Sequence, residues 1–219
     1  LVPPIDHLMP EQQLRVLRAV NNAQITMNHV IHHAGIGHHV QNWQAARASS
    51  RIGQMAGNDC SMRIAIASAG TLVEGWACYA TDLMEESGFL SPLQQLSTLH
   101  ARMRMAARAI VDVELHSERY SLEDAVAFYT GEVDMTPEAS QAEAIKNSMF
   151  PTMAMMYLIG TDLIHDLRAD MRQQWGSEFS LRRFHDEFLS WGAIPVTLIG
   201  RLMRGEPLEA GGFSSRHRG

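Results

Sequence analysis

At 219 residues the chain can bury a sizeable core as one domain and does not require two. Eighteen Lys and Arg against twenty-four Asp and Glu leave a formal charge of -6, with no basic run denser than the terminal SSRHRG, which argues against nucleic acid as a partner. Two cysteines, Cys60 and Cys78, are too few for a disulfide framework and favour the cytoplasm, with a secreted or periplasmic setting left open, and no apolar run reaches the roughly 18–20 residues of a membrane span.

Helix signals recur from end to end, whereas alternating β-branched and aromatic runs are missing, so the predicted class is all-α. Pro10 opens a helix through Leu14, Leu17, Val20, Ile25 and Val30, and Gly35 and Gly37 interrupt it, so the first histidines sit near a helix end or bend. Helical pattern resumes at HHVQNWQAARASSRIGQMA. Asn58 or Asp59 then caps a long, mostly apolar and therefore central helix that ends before Gly88. Ser91-Pro92 starts another, running to about His116, and SLED at 121–124 is a capping box for a short one. Thr136-Pro137 repeats the start signal, and Pro151 is expected to open the helix of PTMAMMYLIGTDLIHDLRADMRQQW. Two last helices near 181–191 and 195–204 complete a single domain over 1–205, followed by a flexible Gly- and Ser-rich tail, 206–219.

HVIHHAGIGHHVQ packs five of the eleven histidines into eleven positions. Clustered imidazoles invite a metal reading, since neutral histidine is the commonest protein ligand for zinc. His29 and His33 are one turn apart. His32 and His38 are six apart and converge only if the backbone bulges between them, which Gly35 and Gly37 permit. The plainer reading is a set of half-buried polar residues on a bent helix. Glu74 weighs against it: a carboxylate in an otherwise apolar helix is costly unless a cation or donor meets it, and a metal held by two imidazoles would do so. Arg108, Asp112 and His116, at steps of four, share one helix face and by themselves read as a salt-bridged stripe.

Three stretches, HHAGIGHHVQ, EGWACYAT and RAIVDVELH, together resemble the signature of a bacterial zinc-metallopeptidase-like family named domain of unknown function 885, which reads H-E-x-x-P-G-H-H-L-Q, E-G-W-A-L-Y-A-E and R-x-V-V-D-x-G-L-H in the same order. The resemblance runs from about residue 25 to 200, through FPTMAMMYLIG and LRADMRQQWG. It implies a helical fold of the Glu-zincin type with zinc, or another divalent transition metal, on His32, His38 and Glu74; His29 or His39 could replace one of these. Tyr157 and His116 match positions that resemble oxyanion stabilisers, and Arg108 and Arg168 fall in matched stretches as candidate substrate-binding residues.

The family carries a glutamate after its first ligand histidine, where it serves as the base of hydrolysis; this chain has His33. An imidazole there is expected to act as base or as an added ligand. Ile36, Thr81, Glu114 and Leu158 replace the family's usual Pro, Glu, Gly and Lys. Family members are typically longer, with a helical region before the signature, so the resemblance implies the C-terminal half of a larger helical fold, completed by an N-terminal region or a second subunit in an oligomer. The expected function is a metal-dependent hydrolase or related carbonyl-activating catalyst acting on a small-molecule or peptide-like substrate; the alternative is a non-catalytic metal-binding or structural subunit.

Overall fold

Helix α1 (Pro10–Ala19) begins at the proline that its sequence marks, and a short turn, Asn22–Gln24, leads into a π-helical segment, Ile25–His33. These belong to a computed structural model that describes residues 6–19, 22–56 and 69–207. Helices α2 (His38–Ala45), α3 (Arg51–Ala56), α4 (Gly70–Glu86), α5 (Pro92–His116), α6 (Leu122–Glu132), α7 (Pro137–Met149), α8 (Met156–Trp175), α9 (Leu181–Ser190) and α10 (Val196–Met203) follow, and the described residues form no strand. The fold is all-α. The expected cap at Asn58 or Asp59, the side chains of Leu17 and Val20, and the tail beyond 207 lie outside the described residues. Among the described residues no helix is long and apolar enough to cross a membrane.

Local signals place most helix starts. Ser91 and Ser121 form complete capping boxes with Gln94 and Asp124, and the side chains of Thr136 and Ser180 accept from the backbone N–H groups of Ala139 and Arg183. Two expectations change: the long apolar helix does not run unbroken, since Ala69 is non-helical (ψ 47°) and α4 starts at Gly70, and 151–155 are turns, so α8 starts at Met156 rather than Pro151. Buried Asp112 of α5 explains the second, because its carboxylate accepts the Thr152 N–H at 2.9 Å and lies 3.4 Å from the Met155 N–H. That bond holds Thr152 at φ 71°, outside the helical region.

The main core gathers Leu72, Trp76 and Tyr79 of α4, Ile164 and Met171 of α8, Phe184 and Phe188 of α9, and Ile199 of α10. A second core joins α5, α6 and α7 through Val111, Tyr129 and Ala144, and a third sets Met27 and Ile31 of the π segment against Ala80 and Leu90. Helices α4 and α8 cross at Gly75 and Gly160, where backbone meets backbone.

His185 of α9 seals one side of the main core, its Nε2 3.0 Å from the Tyr79 hydroxyl. Burial, aided by Arg168, pushes its imidazole down to about 4. The native ring therefore stays neutral where the unfolded chain takes up a proton. Stability is full above the ordinary histidine value near 6.5 and is lost as pH falls through about 4. With partial exposure screening the effect, the loss is on the order of 2 kcal/mol. His185→Gln should flatten this part of the urea-midpoint profile between pH 7 and 4; an unchanged slope would show that other groups set it.

Candidate metal centre

The π segment, the turn after it and the first turns of α4 build the site. A π-helix is wider than an α-helix and recurs at functional sites; here the Ala34 N–H reaches the His29 carbonyl five residues back, at 3.1 Å. The chain then folds back sharply, with the Gly37 N–H on the Ile31 carbonyl at 3.1 Å. A Cβ on Gly37 would collide with the His32 carbonyl, so only glycine lets α2 start this close to the π segment. Trp76 Nε1 donates to the Ile36 carbonyl at 2.9 Å and ties the turn to α4.

This bulge brings together the histidines that a straight helix would separate. The His32 and His38 rings stand 4.7 Å apart edge to face, and one ring nitrogen from each of His32, His33 and His38 lies within 4.8 Å of the others. Glu74 completes the group: its Oε2 is 3.4 Å from His32 Nε2 and 3.5 Å from His38 Nε2. Both separations suit an ion pair better than a hydrogen bond. That oxygen is buried without a hydrogen-bond partner among the described residues, as is His38 Nδ1. Burial pushes the Glu74 carboxyl up, but His32 and His38 more than offset it and hold it down at about 2. Donors bound about 2.0–2.2 Å from a tetrahedral ion stand roughly 3.3–3.6 Å from one another. The Glu74 oxygen has that spacing from each imidazole nitrogen, and a ring nitrogen of each histidine lies within 4.8 Å of the other's, so the residues fit a divalent ion.

Around this group the structure sorts the other sequence candidates. His33 is exposed, and partial burial together with His32, His38 and His29 lowers its pKa, leaving a neutral imidazole beside the ligand group. Tyr157, on the first turn of α8, is close enough to Glu74 that burial and then that carboxylate raise its pKa. Arg108 sits 5.4 Å over the Tyr157 ring, clamped by Glu143 through two bonds of 2.7 Å. His116 and Arg168 are not brought into this group. His116 Nε2 lies 3.0 Å from the Asn147 carbonyl, and Arg168 forks onto Glu86 at 2.8 Å, bracing α8 against α4. Of the expected Arg108, Asp112 and His116 stripe, His116 Nε2 and Asp112 remain 3.5 Å apart, while Arg108 turns to Glu143 and Asp112 and His116 also serve the 152–155 turn and Asn147. Cys78 has its thiol 3.9 Å from His32 Nδ1, but burial pushes it up to about 12, which keeps it a thiol.

A cavity of about 800 Å³ opens from this centre, bounded by α4, α5, α8 and the π segment. His32, Cys78 and Tyr157 form one end, and Arg104, Arg108 and Lys146 belong to its basic side. Arg104 and Lys146 were not anticipated from sequence. The like-charged pair of Arg104 and Arg108 at i and i+4, which disfavours a helix, was the available signal.

Two solved structures share this architecture. A lipoprotein candidate of unknown function from Shewanella oneidensis is 26% identical with a TM-score of 0.74, covering 92% of this chain and 35% of its own. A lipoprotein candidate from Colwellia psychrerythraea is also 26% identical at a TM-score of 0.74, with 88% and 32% covered. The chain therefore spans about a third of the length of each. No curated protein gives a significant match. The motifs around His32, His38 and Glu74 fall within residues 10–203, which match the model of a family described as bacterial proteins of unknown function (DUF885), and the chain belongs to that family.

Proposed function

We propose that the chain binds one divalent transition metal, zinc before others, through His32, His38 and Glu74, and acts as a hydrolase-type catalyst on peptide-like or other amide substrates. The observation that carries this reading is the buried, unpartnered Glu74 oxygen at ligand spacing from two imidazoles. The metallopeptidase-like motif order supports it. Bound there, the ion supplies Lewis acidity, polarising a carbonyl or acidifying water. His33 offers a neutral imidazole lone pair as proton acceptor, and Tyr157 presents a protonated phenol as donor to a developing oxyanion, steadied by Arg108.

A second reading has its own observation. The ring nitrogen of His33 is within 4.8 Å of those of His32 and His38, near enough to become a fourth ligand and close the position that catalysis needs open. The site would then be structural, in a non-catalytic subunit. Elemental analysis of purified protein should find about one zinc per chain; protein that stays metal-free after zinc loading would sink both readings. His33→Ala separates them. We expect zinc content to persist and hydrolysis of amide substrates to be lost, with His33→Glu supporting it. Zinc affinity falling by more than the 10–100-fold typical of outer-shell changes would instead make His33 a ligand.

The structural neighbours' lipoprotein character favours an exported setting over the cytoplasmic one, and the free, buried Cys78 is compatible with it. A polypeptide contact also belongs to this proposal. Leu96, Leu99, Met103, Ile110 and Val113 are all exposed on α5, within roughly a third of the helix circumference and on the side away from the cavity. Such a stripe is unusual on a monomer. We assign its occupant as polypeptide equivalent to the two-thirds of the relatives that lies outside the match. Isolated in dilute solution, the 219-residue chain should self-associate through this stripe, and Leu99→Glu should reduce it. Sedimentation as a stable monomer would remove the argument.

A further inference from the structure

The basic side of the cavity holds a charge that the protein itself neutralises only in part. Arg104 and Arg108 lie one turn apart on the cavity face of α5. Glu143 is engaged by Arg108 through both carboxylate oxygens. Arg104 makes no ion pair or hydrogen bond among the described residues, and its Nε is buried without a partner. Burial and the Arg108 charge both disfavour its charged form, and Glu143, which Arg108 already grips, offsets them only in part. Four other carboxylates line the cavity: Asp82 is held by Arg102 and His165, Glu85 by Arg102 and Glu86 by Arg168, while Asp162 acts on Arg102. A half-buried guanidinium whose Nε lacks a partner is costly, and a ligand carboxylate, which it can grip through two parallel bonds, relieves that cost.

The position of this charge relative to the metal centre is also defined. Glu74 neighbours Tyr157, Tyr157 lies beneath Arg108, and Arg104 is four residues, about 6 Å along the axis, beyond Arg108. The cavity connects both ends. A substrate with its reacting carbonyl near Tyr157 therefore reaches Arg104 with a group a few bonds away.

We propose that Arg104, with Lys146 beside it on the cavity wall, binds a carboxylate of the substrate, so that the site selects amide substrates carrying one negative charge at a distance from the reacting carbonyl. This rests on the hydrolase reading for the reaction, but the anion site stands on the arginine's own surroundings. The carboxylate belongs either to a peptide C-terminus or to an acidic side chain, and Arg104 recognises both by the same chemistry. One unpaired guanidinium matches a monoanion better than a phosphate dianion.

Calorimetric titration of chelator-treated, metal-free protein tests this without contribution from carboxylate binding to an ion. The probes are N-acetyl-Ala-Ala, its C-terminal amide, N-acetyl-Glu-Ala amide and inorganic phosphate. At least one carboxylate probe should bind tenfold or more tightly than the neutral amide and more tightly than phosphate, and added salt should weaken it. Preference for the first acid identifies a terminal carboxylate, and preference for the glutamyl probe identifies a side-chain one. Arg104→Gln should weaken the preferred probe by about tenfold to a hundredfold, as expected for a charged hydrogen-bonded pair, and Arg104→Lys should recover part of it. Equal binding of acid and amide by the unaltered protein would overturn the proposal whether or not any variant folds, as would unchanged binding by folded Arg104→Gln. Zinc content, read on the same preparations before chelation and after zinc reloading, separates the two claims. Zinc without carboxylate binding removes only the anion site, and carboxylate binding without zinc removes only the metal reading.

Discussion

Gly75→Ala is expected to destabilise the protein by about 3 kcal/mol or more, at the upper end for an overpacked core. The added Cβ would stand 2.5 Å from the Gly160 carbonyl carbon, and the atoms it meets are backbone, which cannot swing aside as a side chain can. Gly160→Ala should behave alike, since its Cβ would run into the Thr71 carbonyl from the other side. Relief requires α4 and α8 to separate. Glu74 precedes Gly75 on α4 and Tyr157 lies three residues before Gly160 on α8, so the same separation should loosen the candidate centre. Urea unfolding of both variants checks the first effect, and their zinc affinity checks the second. A loss below about 1 kcal/mol would mean that the two helices are not held at this distance.

The second large effect concerns Glu74. Glu74→Ala should lower zinc affinity by more than the 10–100-fold associated with outer-shell residues, since it removes a proposed ligand rather than a support. Glu74→Gln keeps the volume and one oxygen but removes the charge, and should fall between Ala and the unaltered protein. In the absence of metal, Glu74→Ala also removes the acceptor that His32 and His38 face at 3.4 and 3.5 Å. Competition with a chromophoric zinc chelator measures all three proteins on one scale. Equal affinity for the three would remove Glu74 from the metal site, leaving His32, His33 and His38 as the nearest donors to one another.

How legible these features were in the sequence depends on the range of the interactions behind them. Ser91, Ser121 and Thr136 announced α5, α6 and α7 because a cap is made with a residue three positions on. Pro151 carried the same start signal and α8 nevertheless begins at Met156, because Asp112, some forty residues earlier, holds the intervening turn. His32, His38 and Glu74 could be marked in advance. The family resemblance named them, and two glycines between separated histidines and a carboxylate in an apolar helix are local anomalies that agree with it. The π-helical form of Ile25–His33 was not marked, since its five-residue bonding leaves no distinct side-chain period in so short a segment.

The sequence by itself determined that the protein is all-α and where most helices start, and its motif resemblance named the candidates for a metal. Helix formation follows from backbone hydrogen bonding, caps and glycine sterics, which act within a few residues of chain. Tertiary structure alone decided which candidates share a site. It set Tyr157 beside Glu74 and Arg108, committed His116 to Asn147 and Arg168 to Glu86, and left Arg104 without a partner on the cavity wall. Charge compensation depends on which helices pack together, and the residues that satisfy or abandon a given side chain lie tens of positions away, where no local spacing records them.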